Sequence, residues 1–119
     1  MHEKVVDAGA PGSARGPSGE LRVALPPAGS LTTLAEARTA IDDLDAALAA
    51  LLEHRAALAA AVQRLKPVGG FAGRDPGRER EIVEAMAARA PSLAPEHLAR
   101  VVNAVIEAGL DAAERRRPS

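Results

Sequence analysis

Three cationic side chains lie on or beside the apolar stripe of one predicted long helix, and they are the residues most suggestive of chemistry. They are Arg38, Arg55 and Lys66. An unpaired charge on a packing surface is energetically expensive, so cations placed there need an anion, which a small polyanionic ligand would supply. The alternative is that these long side chains extend past the stripe and keep their charges in water.

The spacing of the three cations limits which of them can share a ligand. Arg55 and Lys66 are eleven residues apart, so they share a helix face and lie about 16 Å apart along the axis, where two long side chains could hold one small molecule. Arg38 lies seventeen residues before Arg55, roughly 25 Å away, and cannot reach the same molecule. If all three serve one site, Arg38 must come from the antiparallel helix of a partner chain.

A second charged group, Asp75, Arg78 and Glu79, lies at the start of a later predicted helix. Asp75 is adequately explained as an N-cap. Glu79 lies near the helix N-terminus, where the helix dipole favours a carboxylate in any case. As a functional group, Glu79 would accept a hydrogen bond from a ligand hydroxyl. Arg78 would either pair with Glu81 or Glu84 or add positive potential. Such a site suits binding a dianion and stabilising transition-state charge without covalent catalysis.

The composition argues against several other classes of function. The 119 residues include no Cys, and the three dispersed His lack metal-ligand spacing, so disulfides, thiolate chemistry and a metal site are not expected. A net charge of −1 and a single aromatic residue argue against binding to nucleic acid. No apolar run is long enough for a bilayer and the first residues lack the apolar core of a signal peptide, which predicts a cytoplasmic protein without membrane association.

The chain is predicted to be all-α, with three helices in a domain over 31–116, a leader before it and a tail at 117–119. The leader, 1–30, is rich in Gly, Pro, Ala and Ser and is predicted to be mostly disordered. The weak alternation over 21–25 would allow one short extended piece, and no segment predicts a sheet. A Gly-rich loop over 67–74 should separate the first two helices.

The long first helix is the basis for predicting a dimer. Thr33 and Glu36 form a capping box at its start, apolar residues recur with a nearly heptad period, and Pro67 should end it. Its roughly 34 residues would span about 50 Å, too long to bury in so small a domain, so a second copy must cover it. The second helix is predicted from Asp75 and Pro76 to about Arg89, and the third from near Pro95 to the C-terminal arginines.

With these residues identified, the sequence resembles the all-helical chorismate mutases over about 31–114. The shared pattern is an Arg followed by Ile-x-x-x-Asp, a Leu-Leu-x-x-Arg, a Lys and an Asp-x-x-Arg-Glu, beginning at Arg38, Leu51, Lys66 and Asp75. The resemblance implies an intertwined homodimer with two active sites. It also implies a Claisen rearrangement of chorismate to prephenate, in aromatic amino acid biosynthesis (the shikimate pathway), that needs no cofactor.

The resemblance also implies a role for each charged residue. Arg55 of one subunit and Arg38 of the other would bind the substrate carboxylates. Lys66 would donate to the ether oxygen, where negative charge grows as the C–O bond breaks, and Glu79 would hold the ring hydroxyl. Asp75 and Arg78 would help to orient the substrate.

The third helix departs from the family pattern. Six residues after Glu107 the family usually has a Gln that donates to the ether oxygen, whereas this chain has Ala113, and Gly109 stands where a small polar residue is common. Losing one such donor can cost on the order of 10²–10³ in rate. Several interpretations therefore stay open. The chain could be a weak mutase, a mutase with an activating pathway enzyme, a 4-amino-4-deoxychorismate mutase, an isochorismate-pyruvate lyase or a non-catalytic dimerisation module.

Overall fold

The computed structural model describes residues 4–7, 19–66 and 74–115. Contacts along the chain divide it into two compact units, Met1–Leu51 and Leu52–Ser119. The elements, in order, are strands β1 (Lys4–Asp7) and β2 (Arg22–Leu25), a 3₁₀ turn (Ala28–Ser30), and helices α1 (Leu34–Leu65), α2 (Pro76–Arg89) and α3 (Pro95–Arg115). The fold is all-α with a long first helix, as predicted. The predicted tail and most of the Gly-rich loop lie outside the described residues.

Helix α1 starts where the predicted capping box satisfies its first amides. The hydroxyl of Thr33 accepts a hydrogen bond from the Glu36 amide at 3.0 Å. In return, Glu36 Oε1 accepts from the amides of Thr32 at 2.8 Å and Thr33 at 3.2 Å. These bonds, above all the one from the Thr32 amide, hold the pKa of Glu36 below its ordinary value of 4.5.

A small core lies where the leader meets α1 in the first unit. Leu21 and Val23, two residues apart and so on one side of an extended chain, are buried with Ala47 of α1. Leu25 and Ala50 pack against this cluster. The prediction of an extended piece over 21–25 is confirmed. Its extended backbone places the side chains of Leu21 and Val23 against the helix.

Strand β2 also pairs with β1, so a small sheet exists that the sequence did not predict. The two strands are antiparallel, with Lys4 opposite Leu25 and Asp7 opposite Arg22. The expectation that no segment forms a sheet is therefore wrong for these described residues. Composition alone suggested disorder, but burial against α1 stabilises the strand, and composition does not report such a contact.

Helices α2 and α3 pack against each other in the second unit. Asp75 caps α2 by accepting a hydrogen bond from the Arg78 amide at 3.1 Å, and Pro76 occupies the first turn, as predicted. On α3, Leu98 and Val102 are buried. Gly109 is buried too, because it faces α1 closely: a Cβ added there would lie 3.7 Å from Ala59 Cβ and 3.9 Å from Ala56 Cα.

The apolar stripe of α1 stays exposed along the whole helix. Its large members are between 38% and 75% exposed: Leu34, Ile41, Leu44, Leu48, Leu51, Leu52, Leu58, Val62 and Leu65. Ala47 is the one buried residue of this helix, all of which is described. A single chain therefore leaves most of the stripe in contact with water. Within the described ranges, no helix combines the length and hydropathy needed to cross a bilayer.

The capping box predicts a pH-dependent contribution to stability. Because folding lowers the pKa of Glu36, its carboxylate stabilises the fold fully above pH 4.5, and this contribution is lost as the pH falls through the lower folded value. We expect Glu36→Gln to lower the melting temperature at pH 7, with the difference shrinking in acid. Glu84→Gln, which removes an exposed carboxylate from α2, is the control. An equal effect of Glu36→Gln at pH 3 and pH 7 would contradict the assignment.

The contact between α3 and α1 predicts that one extra methyl group is tolerated. Both distances from a Cβ at Gly109 are ordinary van der Waals contacts, and Ala is the better helix former. We therefore expect Gly109→Ala to raise the free energy of unfolding by about 0.5–1 kcal/mol in urea titrations. Gly109→Leu, whose larger side chain must displace Ala59, should lower it. A destabilising Gly109→Ala would show that the helices cannot accept the methyl group.

Candidate active site

A cavity of about 350 Å³ lies within the second unit and is bounded by all three helices. Its apolar wall includes Leu58, Val62, Ile82, Ile106 and Leu110. Its polar lining residues are Arg55, Gln63, Lys66, Asp75, Arg78 and Glu79. Five of the six candidate residues from the sequence therefore surround one space.

Helix α1 and the residue that follows it present two cations to this cavity. Arg55, Leu58, Val62 and Lys66 all line it, and their spacing of three or four residues at each step keeps them on one helix face. Arg55 and Lys66 are half-buried. The cations thus lie within an apolar surface, where their interaction with an anion is screened less than in open water.

The start of α2 contributes the second charged group. Asp75 uses Oδ1 to cap the helix while also lining the cavity. Arg78 is largely exposed, and its guanidinium lies 4.0 Å from Glu81, a contact too loose to hold it firmly. The two alternatives for Arg78 therefore coexist, because it makes this surface contact and also lines the cavity.

Glu79 is held by an arginine that the sequence did not single out. Arg74 donates from Nε to Glu79 Oε2 at 2.6 Å and from Nη2 to Oε1 at 2.8 Å, a two-pronged ion pair. The hydrogen bonds from Arg74, reinforced by its charge, hold the pKa of Glu79 below its ordinary range. The same pairing raises the pKa of Arg74.

A positional signal for this pair does exist in the sequence. With Asp75 as N-cap, Arg74 is at N′ and Glu79 at N4, the two positions that meet in a hydrophobic staple. Here an ion pair occupies the positions where two apolar residues more often pack. An Arg followed five residues later by Glu, around a clear N-cap, would have been enough to expect the contact.

Helix α3 supports Arg74 through two more residues that the sequence did not identify as functional. Asn103 Oδ1 accepts from Arg74 Nη2 at 2.5 Å, and Asn103 Nδ2 donates to Glu107 at 2.5 Å. The Glu107 carboxylate also lies 4.0 Å from Arg74 Nη1. A chain of polar contacts therefore connects Glu79 on α2 to Asn103 and Glu107 on α3.

The face of the cavity that α3 provides is apolar. Ile106 and Leu110 are its lining residues from this helix, all of which is described. Gly109 faces α1, and Ala113 is half-buried without lining the cavity. The departure seen in the sequence is therefore visible in the structure: this helix brings no hydrogen-bond donor to the cavity.

Arg38 lies apart from the other candidate residues along the chain. It is exposed near the start of α1, in the first unit, whereas every residue lining the cavity belongs to the second. Along α1, Arg38 comes seventeen residues before Arg55.

The lining side chains suit a small anion. Among the described lining residues, Arg55, Lys66 and Arg78 outnumber Asp75 and Glu79, and Arg74, outside the lining, pairs with Glu79. Among the described residues, no group of three or more His, Asp or Glu is arranged to hold a metal ion. The chemistry these residues offer is therefore electrostatic: guanidinium and ammonium donors, a fixed carboxylate acceptor and an apolar wall.

Comparison with known families assigns the helical domain. The family model described as chorismate mutase type II matches residues 37–114, more than half of the chain and all of the cavity. Comparisons with curated proteins and with solved structures gave no significant match. The members of this family are isomerases that bind a chorismate-like substrate. The chain belongs to the type II chorismate mutases.

Proposed function

We propose that the protein is a cytoplasmic chorismate mutase that converts chorismate to prephenate for aromatic amino acid synthesis. The observation that carries the proposal is the convergence of Arg55, Lys66 and Glu79 on one apolar-walled cavity. Chorismate offers two carboxylates, an ether oxygen and a ring hydroxyl. The cavity has a guanidinium for one carboxylate, an ammonium for the ether oxygen and a carboxylate acceptor for the hydroxyl.

The rearrangement needs positioning and charge stabilisation from the protein. The reaction is unimolecular, so the protein forms no bond to the substrate, and no cofactor takes part. Arg55 would fix one carboxylate and Glu79 the ring hydroxyl, which restricts the substrate to its reactive shape. Lys66 would donate to the ether oxygen as negative charge develops there, and this interaction grows in the transition state. Asp75 and Arg78 would orient the substrate at the α2 end.

We further propose that two protomers build each site. The exposed stripe of α1 runs the length of the helix, and its burial against a second α1 would be favourable by roughly 25 cal/mol for each Å² of apolar surface. Arg55 is assigned to one carboxylate and Lys66 to the ether oxygen, so the second carboxylate of the substrate still needs a cation. Arg38 of the partner would supply the missing charge.

The α3 face of the cavity supports two alternatives. Without a donor from this helix, the ether oxygen would keep Lys66 as its donor, so we expect a slow enzyme or one that an enzyme of the same pathway activates. A non-catalytic dimerisation module, the alternative from another class, would also account for an apolar α3 face. Incubation with chorismate, 4-amino-4-deoxychorismate and isochorismate, followed by product identification, separates these readings. No turnover of any of the three would reject the enzymatic proposal.

Removal of the Arg55 guanidinium should abolish most activity without unfolding the protein. We expect Arg55→Ala to lower kcat/KM for chorismate on the order of 10²–10³, because a desolvated carboxylate loses its charged partner. Arg64→Ala, which removes an exposed arginine from the same helix, should have little effect. Light scattering should show the same oligomer for both variants. If Arg55→Ala were as active as Arg64→Ala, Arg55 would have no role in the site.

Sharing of Arg38 between protomers predicts complementation between two inactive variants. In a mixed dimer of Arg38→Ala and Arg55→Ala chains, one site receives both substitutions and the other receives neither. Random pairing should therefore restore about a quarter of the normal activity after co-expression and refolding together.

A matched mixture tests the geometry of this sharing. Arg55→Ala and Lys66→Ala chains should not complement, because both residues of a site come from the same protomer. Each site of a mixed dimer therefore lacks one of the two. Complementation of this second pair, or none in the first, would contradict the shared site.

A further inference from the structure

We propose that Arg74 positions Glu79 and neutralises its charge, so that the ring end of the cavity selects a hydroxyl over an ammonium group. The inference rests on the proposed function, because it assumes that a chorismate-like ring occupies the cavity near Glu79. Arg74 acts through Glu79, because Glu79 lines the cavity and Arg74 is not among the described lining residues.

The geometry of the pair fixes the Glu79 carboxylate in one orientation. Each carboxylate oxygen accepts one hydrogen bond from the Arg74 guanidinium, at 2.6 Å and 2.8 Å, so the carboxylate cannot rotate without breaking one of them. Each oxygen retains a further lone pair that can accept from a ligand. The lowered pKa of Glu79 agrees with a carboxylate that stays ionised as an acceptor.

The guanidinium is itself held from α3. Asn103 accepts from the same Nη2 that contacts Glu79 and donates its amide hydrogen to Glu107. With Nε and Nη2 hydrogen-bonded to Glu79 and Asn103, Arg74 has few other rotamers available without losing hydrogen bonds. The position of Glu79 is therefore set by residues outside the cavity.

The charge of the pair determines which ring substituent is favoured. An isolated carboxylate would attract an ammonium group strongly and a hydroxyl only through one hydrogen bond. With the Arg74 guanidinium against it, Glu79 presents little net charge, while Asp75 and Arg78 bring opposite charges to the same cavity. A hydroxyl needs only the acceptor that remains, whereas an ammonium would lose hydration without gaining a full counter-charge. The arrangement favours chorismate over its 4-amino analogue.

The test compares kcat/KM for chorismate and for 4-amino-4-deoxychorismate in the full chain and its variants. The unsubstituted protein should prefer chorismate. Arg74→Gln should lower kcat/KM for chorismate about tenfold and shift the ratio about tenfold towards the amino analogue, because Glu79 then carries an uncompensated charge. Arg74→Lys should lower kcat/KM through loss of the two-pronged contact but keep the ratio, since a cation remains.

Arg80→Gln is the matched control, because it removes an exposed arginine from the residue after Glu79. It should leave the ratio unchanged, which would exclude a general effect of net charge. Circular dichroism checks folding. If Arg74→Gln does not fold, Asn103→Ala, which removes the α3 partner of Arg74 but keeps its charge, should lower kcat/KM for chorismate by a smaller factor and keep the ratio. An unchanged kcat/KM in Asn103→Ala would then overturn the inference.

The outcomes distinguish this inference from the proposed function. Turnover of chorismate with an unchanged ratio in Arg74→Gln, or an intrinsic preference for the amino analogue, would overturn the inference and leave the mutase assignment intact. Absence of turnover of both substrates by the unsubstituted protein would reject the proposed function and the inference with it. An equal shift in Arg80→Gln would also overturn it.

Discussion

A 32-residue helix in so short a chain cannot cover its own apolar stripe, and this constraint underlies the rest of the structure. The stripe that must be covered is also the surface that carries Arg55 and Lys66. Burial and charge placement are therefore linked, because a contact that removes the leucines from water would also enclose the two cations in an apolar environment. The proposed site, shared between two protomers, would cover the stripe and place the substrate carboxylates beside these cations.

The parts of the fold that could be predicted are those with local causes. The capping box at Thr33 and Glu36 and the Asp75–Pro76 start of α2 each depend on residues within one helical turn, and the structure has them where the sequence predicts. The common face of Arg55 and Lys66 follows from helical periodicity alone. For the same reason, the two cations that line the α1 side of the cavity could be predicted without knowing where α2 and α3 lie.

The features that escaped prediction depend on contacts between distant parts of the chain. Leu21 and Val23 become a strand because Ala47 gives them a surface to pack on, and the composition of the leader contains no sign of that surface. The ion pair of Arg74 with Glu79 follows a local pattern, but its support by Asn103 joins residues 29 positions apart. Sequence patterning identified the groups that could contact a ligand and missed those that hold them in place.

The small core of the first unit has an evolutionary consequence. The family match begins at residue 37, after β2, yet two of the three buried members of that core precede it. Part of the burial of α1 therefore depends on a segment outside the residues that the family model matches. At position 47 only a small side chain leaves room for Leu21 and Val23, so drift at this helix position and in the strand should be correlated among sequences that carry the same leader.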